Sequence, residues 1–104
     1  MYTHSQQRSD PAVQELRRSA GHWLRSLREK RGLSQRDLAK LVGAEYYTFI
    51  SQLETGRGRI PPDRYRLWAA ALEVDAAEFV RTLLRYYDPV TYDILFGMAG
   101  DASA

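Results

Sequence analysis

Between Gly43 and Gly56 the sequence AEYYTFISQLET places Tyr47, Thr48, Ser51, Gln52 and Thr55 on one side of any helix formed there. Short hydroxyls and amides, joined by one phenol, are side chains able to reach the edges of nucleic-acid bases. A glutamine such as Gln52 can pair bidentately with N6 and N7 of adenine, and Thr48 and Ser51 can donate to or accept from several edges. Tyr47 can stack on a sugar or bond a phosphate through its hydroxyl. Arg57 and Arg59 follow directly, planar forks suited to bidentate phosphate contact, with Gly58 letting the backbone approach closely. Upstream, Arg36 and Lys40 stand a turn apart on a second candidate helix, a spacing that suits a helix crossing a phosphate backbone. Each residue has a plainer alternative. Thr48, Ser51 and Gln52 would then be a solvated polar face, and Tyr47 a ring packed near a turn. Arg57 and Arg59 would bond helix ends, and Arg36 and Lys40 would be surface charge.

The elements that must hold these side chains are helices. From about Ala12, the residues Val13, Leu16, Ala20, Trp23, Leu24 and Leu27 recur at spacings of three and four, with Gly21 as a possible interruption. Lys30, Arg31 and Gly32 end that helix, cations lying near its negative pole. Ser34 is an N-cap with Asp37 three residues on, so a second helix opens there with Leu38, Ala39, Leu41 and Val42 as its apolar stripe. Gly43 supplies a sharp exit. A third helix is expected over 45–55, burying Tyr46, Ile50 and Leu53 with Phe49 at the flank. Glu54 is expected to tie it to neighbouring backbone or arginine, since a carboxylate facing phosphate would repel it. Pro62 or Asp63 opens a fourth helix with Tyr65, Leu67, Trp68, Ala71 and Leu72 inward. Asp75 caps a fifth carrying Phe79, Val80, Leu83, Leu84 and Tyr87. Asp88-Pro89 starts a short sixth, with proline at its permitted first position. Trp23 and Trp68 sit in apolar stripes and are core. The fold class is therefore all-α.

Bulk properties narrow the functions. A chain of 104 residues with 44% hydrophobic residues is one domain. Zero cysteines remove disulfides and thiolate zinc sites, and His4 and His22 have no companion ligands, so neither metal nor cofactor is expected. No apolar run approaches the roughly 20 residues of a membrane span, and the N-terminus lacks a secretory pattern, so a cytoplasmic location and no membrane contact are expected. No Gly-rich phosphate cradle, carboxylate pair or Ser/His/Asp order suggests catalysis. The net charge of +2 conceals an asymmetry. Twelve basic residues against five acidic ones lie from Arg17 to Arg66, and two against six from Leu67 onward. Such a chain suits a protein that faces phosphate with one side. Within the basic half, Arg28, Lys30 and Arg31 are read as general field. Arg17 and Arg18 are read as an ordinary exposed helix face, with DNA tracking as the alternative.

Four pieces in order, LRSLREKRGLSQRDLA, the turn glycine Gly43, ISQLETG and RYRLWAAALEVDAAEF, make the segment from about Trp23 to Leu84 resemble the Xre-type (Cro/phage-repressor-like) helix-turn-helix family. The resemblance implies a lambda-repressor-like bundle of about five to six helices with the helix-turn-helix over 34–55. It implies dimers on half-sites about 34 Å apart. It also implies that the helix after Gly43 reads bases, that Gln35 sits against the DNA backbone, and that the loop holding Arg57 and Arg59 touches phosphate. The chain has twelve residues between Gly43 and Gly56 where the family pattern has eleven. Counting forward from Gly43 makes Tyr46 and Tyr47 the first base-reading pair. Counting back from Ile50 gives Tyr47 and Thr48, and this count is preferred because the core fixes helix rotation.

Residues 1–12 form an expected flexible arm, 13–87 the DNA-binding domain and 88–104 an extension. Tyr87, Tyr92, Ile94, Leu95 and Phe96 are assigned to a homodimer interface, with folding over the first helix as the alternative. The leading reading is a repressor that binds double-stranded DNA at a palindromic operator. The others are an antitoxin of a toxin–antitoxin pair, and an interaction module with a regulatory protein partner.

Overall fold

The computed structural model describes residues 10–97, so most of the expected N-terminal arm and the end of the extension lie outside the described residues. Among the described residues there are six α-helices, α1 (Pro11–Lys30), α2 (Gln35–Leu41), α3 (Thr48–Glu54), α4 (Tyr65–Leu72), α5 (Ala76–Tyr87) and α6 (Pro89–Phe96), with a 3-10 turn over Pro62–Arg64 leading into α4. α1 lies across α3 and α5, α2 packs on α3 and α4, and α5 packs on α4 and α6. The common core joins Leu24, Leu38, Ile50, Leu53, Ile60, Trp68, Phe79 and Leu83. Trp23 stacks on Phe79 with ring centroids 5.4 Å apart.

Local chemistry sets the ends of the helices. The Asp10 side chain accepts from the Ala12 N–H, and Pro11 occupies the first helical position, so α1 starts at Pro11. Ser34 and Asp37 exchange bonds at 3.0 and 2.9 Å in a complete capping box. Asp75 and Asp88 cap α5 and α6. α1, α2, α3 and α4 all close with the same pair of backbone bonds, five residues back and three back. For α2 these are Ala44 N–H to Ala39 O and Gly43 N–H to Lys40 O. The closing residue is left-handed in each: Gly32, Gly43 and Gly56 in the first three, and Glu73, at φ 57°, in α4.

Several sequence expectations are corrected. Gly21 does not interrupt α1. It is buried within the helix, and the end of α3 packs so closely that a Cβ at that position would stand 2.3 Å from the Glu54 carbonyl oxygen. The third helix begins at Thr48 instead of residue 45. The closing bonds of α2 commit Gly43 and Ala44, and Glu45 and Tyr46 absorb the additional residue as turn. Tyr46, expected in the buried stripe, is consequently 67% exposed. Leu41 and Leu67 are also exposed. Each sits one residue before a buried position (Val42 and Trp68), about 100° around its helix from the inward face. Ala69, not assigned inward from sequence, is buried.

Candidate nucleic-acid interface

A buried charge cluster sets the orientation of α3. The Arg28 Nε donates to Glu54 Oε2 at 2.6 Å and its Nη2 to Oε1 at 3.0 Å, while Nη1 donates to the Leu33 carbonyl at 2.7 Å. Gln35 Nε2 donates to Glu54 Oε1 at 3.1 Å. One carboxylate thus links α1, α2 and α3 through charge-assisted bonds that fix direction as well as distance. The interaction raises the Arg28 guanidinium above its ordinary pKa, chiefly through the bond to Glu54 and against the opposing effect of burial. Glu54 is bonded to arginine, as its sequence position suggested. Arg28, read as general field, is instead a buried structural partner, because one face of α1 turns it toward the end of α3.

With Ile50, Leu53 and Glu54 all buried, the opposite side of α3 faces solvent. Thr48 and Gln52 are exposed there and Ser51 is half-buried. Tyr47 precedes the first turn, its ring lying beneath the Arg36 guanidinium 4.4 Å from the ring centroid. Ile50 is fully buried, the condition used in the count that selects Tyr47 and Thr48. Lys40 is exposed on α2, one turn beyond Arg36.

After α3, Arg57 and Arg59 are exposed on a loop closed by the buried Ile60. The Arg59 guanidinium lies 4.8 Å from the centroid of the Tyr87 ring. The ion pairs sort the basic residues. Arg18, Arg25, Arg28, Arg31 and Arg81 each meet a carboxylate. Among the described residues, no carboxylate stands within ion-pair distance of Arg36, Lys40, Arg57 or Arg59. Thr48, half-buried Ser51 and Gln52 thus lie on the outer side of α3 with Tyr47 just before it, and cations without a carboxylate partner among the described residues stand on the elements before and after it.

A helix-turn-helix family profile, that of the Cro/C1-type, Xre-like proteins, matches residues 24–79. The chain belongs to the Cro/C1-type helix-turn-helix family. A search of curated proteins returns no match. The family profile and the helical bundle agree with the all-α, lambda-repressor-like fold expected from the sequence. The protein is a DNA-binding helix-turn-helix regulator, with α2 and α3 as the two helices of the motif.

Tyr87 does not belong with the other residues assigned to a dimer surface. It is buried in the core, and its hydroxyl accepts from the Ile60 N–H at 3.4 Å. Burial pushes its phenol above the ordinary value. The helical period explains the correction, since Phe79, Leu83 and Tyr87 form one inward row of α5. On α6, Ile94 and Leu95 are 68% and 57% exposed, Phe96 is exposed, and Tyr92 is half-buried. The Tyr92 and Phe96 rings meet in a tilted arrangement with centroids 5.4 Å apart, with Arg85 and Arg81 over their rings. α6 packs on α5, so its apolar outer side remains open. Among the described residues, no helix is long and apolar enough to cross a membrane.

Proposed function

We propose that the protein is a sequence-specific transcriptional repressor that binds a palindromic operator as a homodimer in the cytoplasm. The observation that carries this reading is the polar row of exposed Thr48 and Gln52 and half-buried Ser51 on a helix whose rotation is fixed by Ile50, Leu53 and Glu54. Tyr47, Thr48, Ser51 and Gln52 read base edges in the major groove. Gln35, Arg36, Lys40, Arg57 and Arg59 set the register through phosphates. Arg36 stacked on Tyr47 joins the two roles, since a ring held by a guanidinium is presented in one orientation. The dimer forms through Tyr92, Ile94, Leu95 and Phe96, whose open side resembles the apolar centre of a protein interface.

Binding measured against salt tests the electrostatic half of the proposal. About eight phosphates neutralised per dimer give a log–log slope of roughly −7. A slope near zero contradicts it. The rival with an observation in its favour is a protein partner, as for an antitoxin or an interaction module, docked on the open side of α6. Tight capture of a partner together with weak, salt-insensitive DNA binding is the result that selects it.

A further inference from the structure

Two residues that flank the family-matched segment, Arg17 before it and Tyr87 after it, meet at the loop that follows the recognition helix. Arg17 Nη1 donates to the Gly58 carbonyl at 3.4 Å. The guanidinium groups of Arg17 and Arg59 lie 5.6 and 4.8 Å from the centroid of the Tyr87 ring. The Tyr87 hydroxyl accepts from Ile60 N–H at the end of the same loop. Gly56 lies so close to α1 that an added Cβ would stand 3.0 Å from the Arg18 Cα. Between α1 and the loop is an open cleft of about 260 Å³ whose lining includes Arg17, Arg57, Gly56 and Gly58. No carboxylate neutralises Arg17, Arg57 or Arg59 among the described residues. Asp88, the nearby acid whose carboxyl is lowered in part by the field of Arg59, is engaged by the Thr91 N–H and hydroxyl.

We infer that Arg17, Arg57 and Arg59 form a composite site for DNA-backbone phosphate, with Tyr87 as its positioning residue. The inference rests on the DNA-reading function proposed above and extends it to α1. Arg17 and Arg59 lie over one Tyr87 ring and Arg17 and Arg57 line one cleft, so their charges repel, and a phosphodiester relieves that repulsion by accepting bonds from them. Tyr87 supplies the ring face on which two of them rest and the hydroxyl that pins the loop at Ile60. The contact falls on the duplex next to the bases read by α3, and it adds affinity without sequence preference.

The test is binding of a fluorescein-labelled duplex of mixed sequence, and of a selected operator, from about 50 to about 300 mM KCl. Arg17→Ala is expected to reduce the magnitude of the salt slope by about 1 per protomer and to weaken both duplexes by the same factor. Arg17→Lys keeps the charge and keeps the slope. Arg17→Gln retains much of the side chain without the charge, and is expected to match Arg17→Ala should the shorter residue disturb folding. Tyr87→Phe removes no charge, so it weakens binding several-fold at an unchanged slope. An unaltered slope for Arg17→Ala and Arg17→Gln, with a reduced slope for Arg59→Ala, would overturn the composite site and leave DNA reading intact. Unchanged affinity for Tyr87→Phe would remove its positioning role. Salt-insensitive binding by the unaltered protein would overturn the DNA reading itself.

Discussion

α3 and α6 are nearly equal in length and opposite in how they meet the rest of the protein. α3 buries Ile50, Leu53 and Glu54 and presents a short polar row. α6 has no buried residue and leaves Val90, Ile94 and Leu95 more than half exposed. α3 is held by two neighbours, α1 and α2, through one carboxylate, and α6 by α5 and by its Asp88 cap. A side chain that reads DNA must be fixed before DNA arrives, since any freedom it keeps is lost on binding. An association surface needs only to be open. Under the proposed function, rigidity at α3 and exposure at α6 serve two different partners, DNA and a second copy of the chain.

The largest break in this contrast comes from the buried cluster. Glu54→Ala leaves Arg28 and Gln35 without their shared acceptor and is expected to cost about 3–5 kcal/mol, read by chemical denaturation. Ile94→Ser on α6 is expected to change the stability of the monomer by less than about 0.5 kcal/mol. It should still shift the sedimentation profile toward monomer at concentrations where the unaltered protein is dimeric. Equal losses of stability from the two substitutions would erase the difference between the helices.

Gln52→Ala sharpens the comparison at the reading face. It should lose roughly 1–3 kcal/mol at one base position of the operator and relax preference there, with binding to random duplex unchanged. Competition binding against single-base operator variants measures this, and equal losses on specific and random DNA would count against base reading.

The order in which these features were legible in the sequence follows from what each depends on. Caps and turn glycines act over three to five residues, so Ser34, Asp75 and Gly43 were readable directly. The inward rows of α1 and α5 followed from periodicity. Tyr46 was misplaced because the third helix was drawn back to residue 45, whereas Glu45 and Tyr46 lie between the closing bonds of α2 and the start of α3 at Thr48. Arg28 and Glu54 are 26 residues apart, so their pairing had no local signature, although Arg28 does continue the inward row of Ala20 and Leu24 at a spacing of four. Tyr87 carried a signal that was available, its spacing from Phe79 and Leu83, but its aromatic neighbours in the tail pointed elsewhere.

The smaller effects concern helix ends. The Ser34 backbone and hydroxyl hold the Asp37 carboxyl below its ordinary value. That contribution is fully present above the unfolded pKa of about 3.9 and is lost as pH falls through the lower folded value. Asp37→Asn should therefore flatten the acid side of the stability profile, and an identical profile would mean the capping box contributes nothing. Glu73→Gly relieves a left-handed glutamate at the end of α4, trading a long, exposed pairing with Arg31 at 3.6 Å for a residue suited to that conformation. Thermal melting should show a gain of up to about 1 kcal/mol.

Selection from a randomised duplex library at about 150 mM salt tests the central claim most directly. A twofold-symmetric motif with half-sites about 10 base pairs apart is expected, abolished by the combined change of Thr48, Ser51 and Gln52 to alanine. A bound pool without enrichment, from protein that is folded and dimeric, would contradict it.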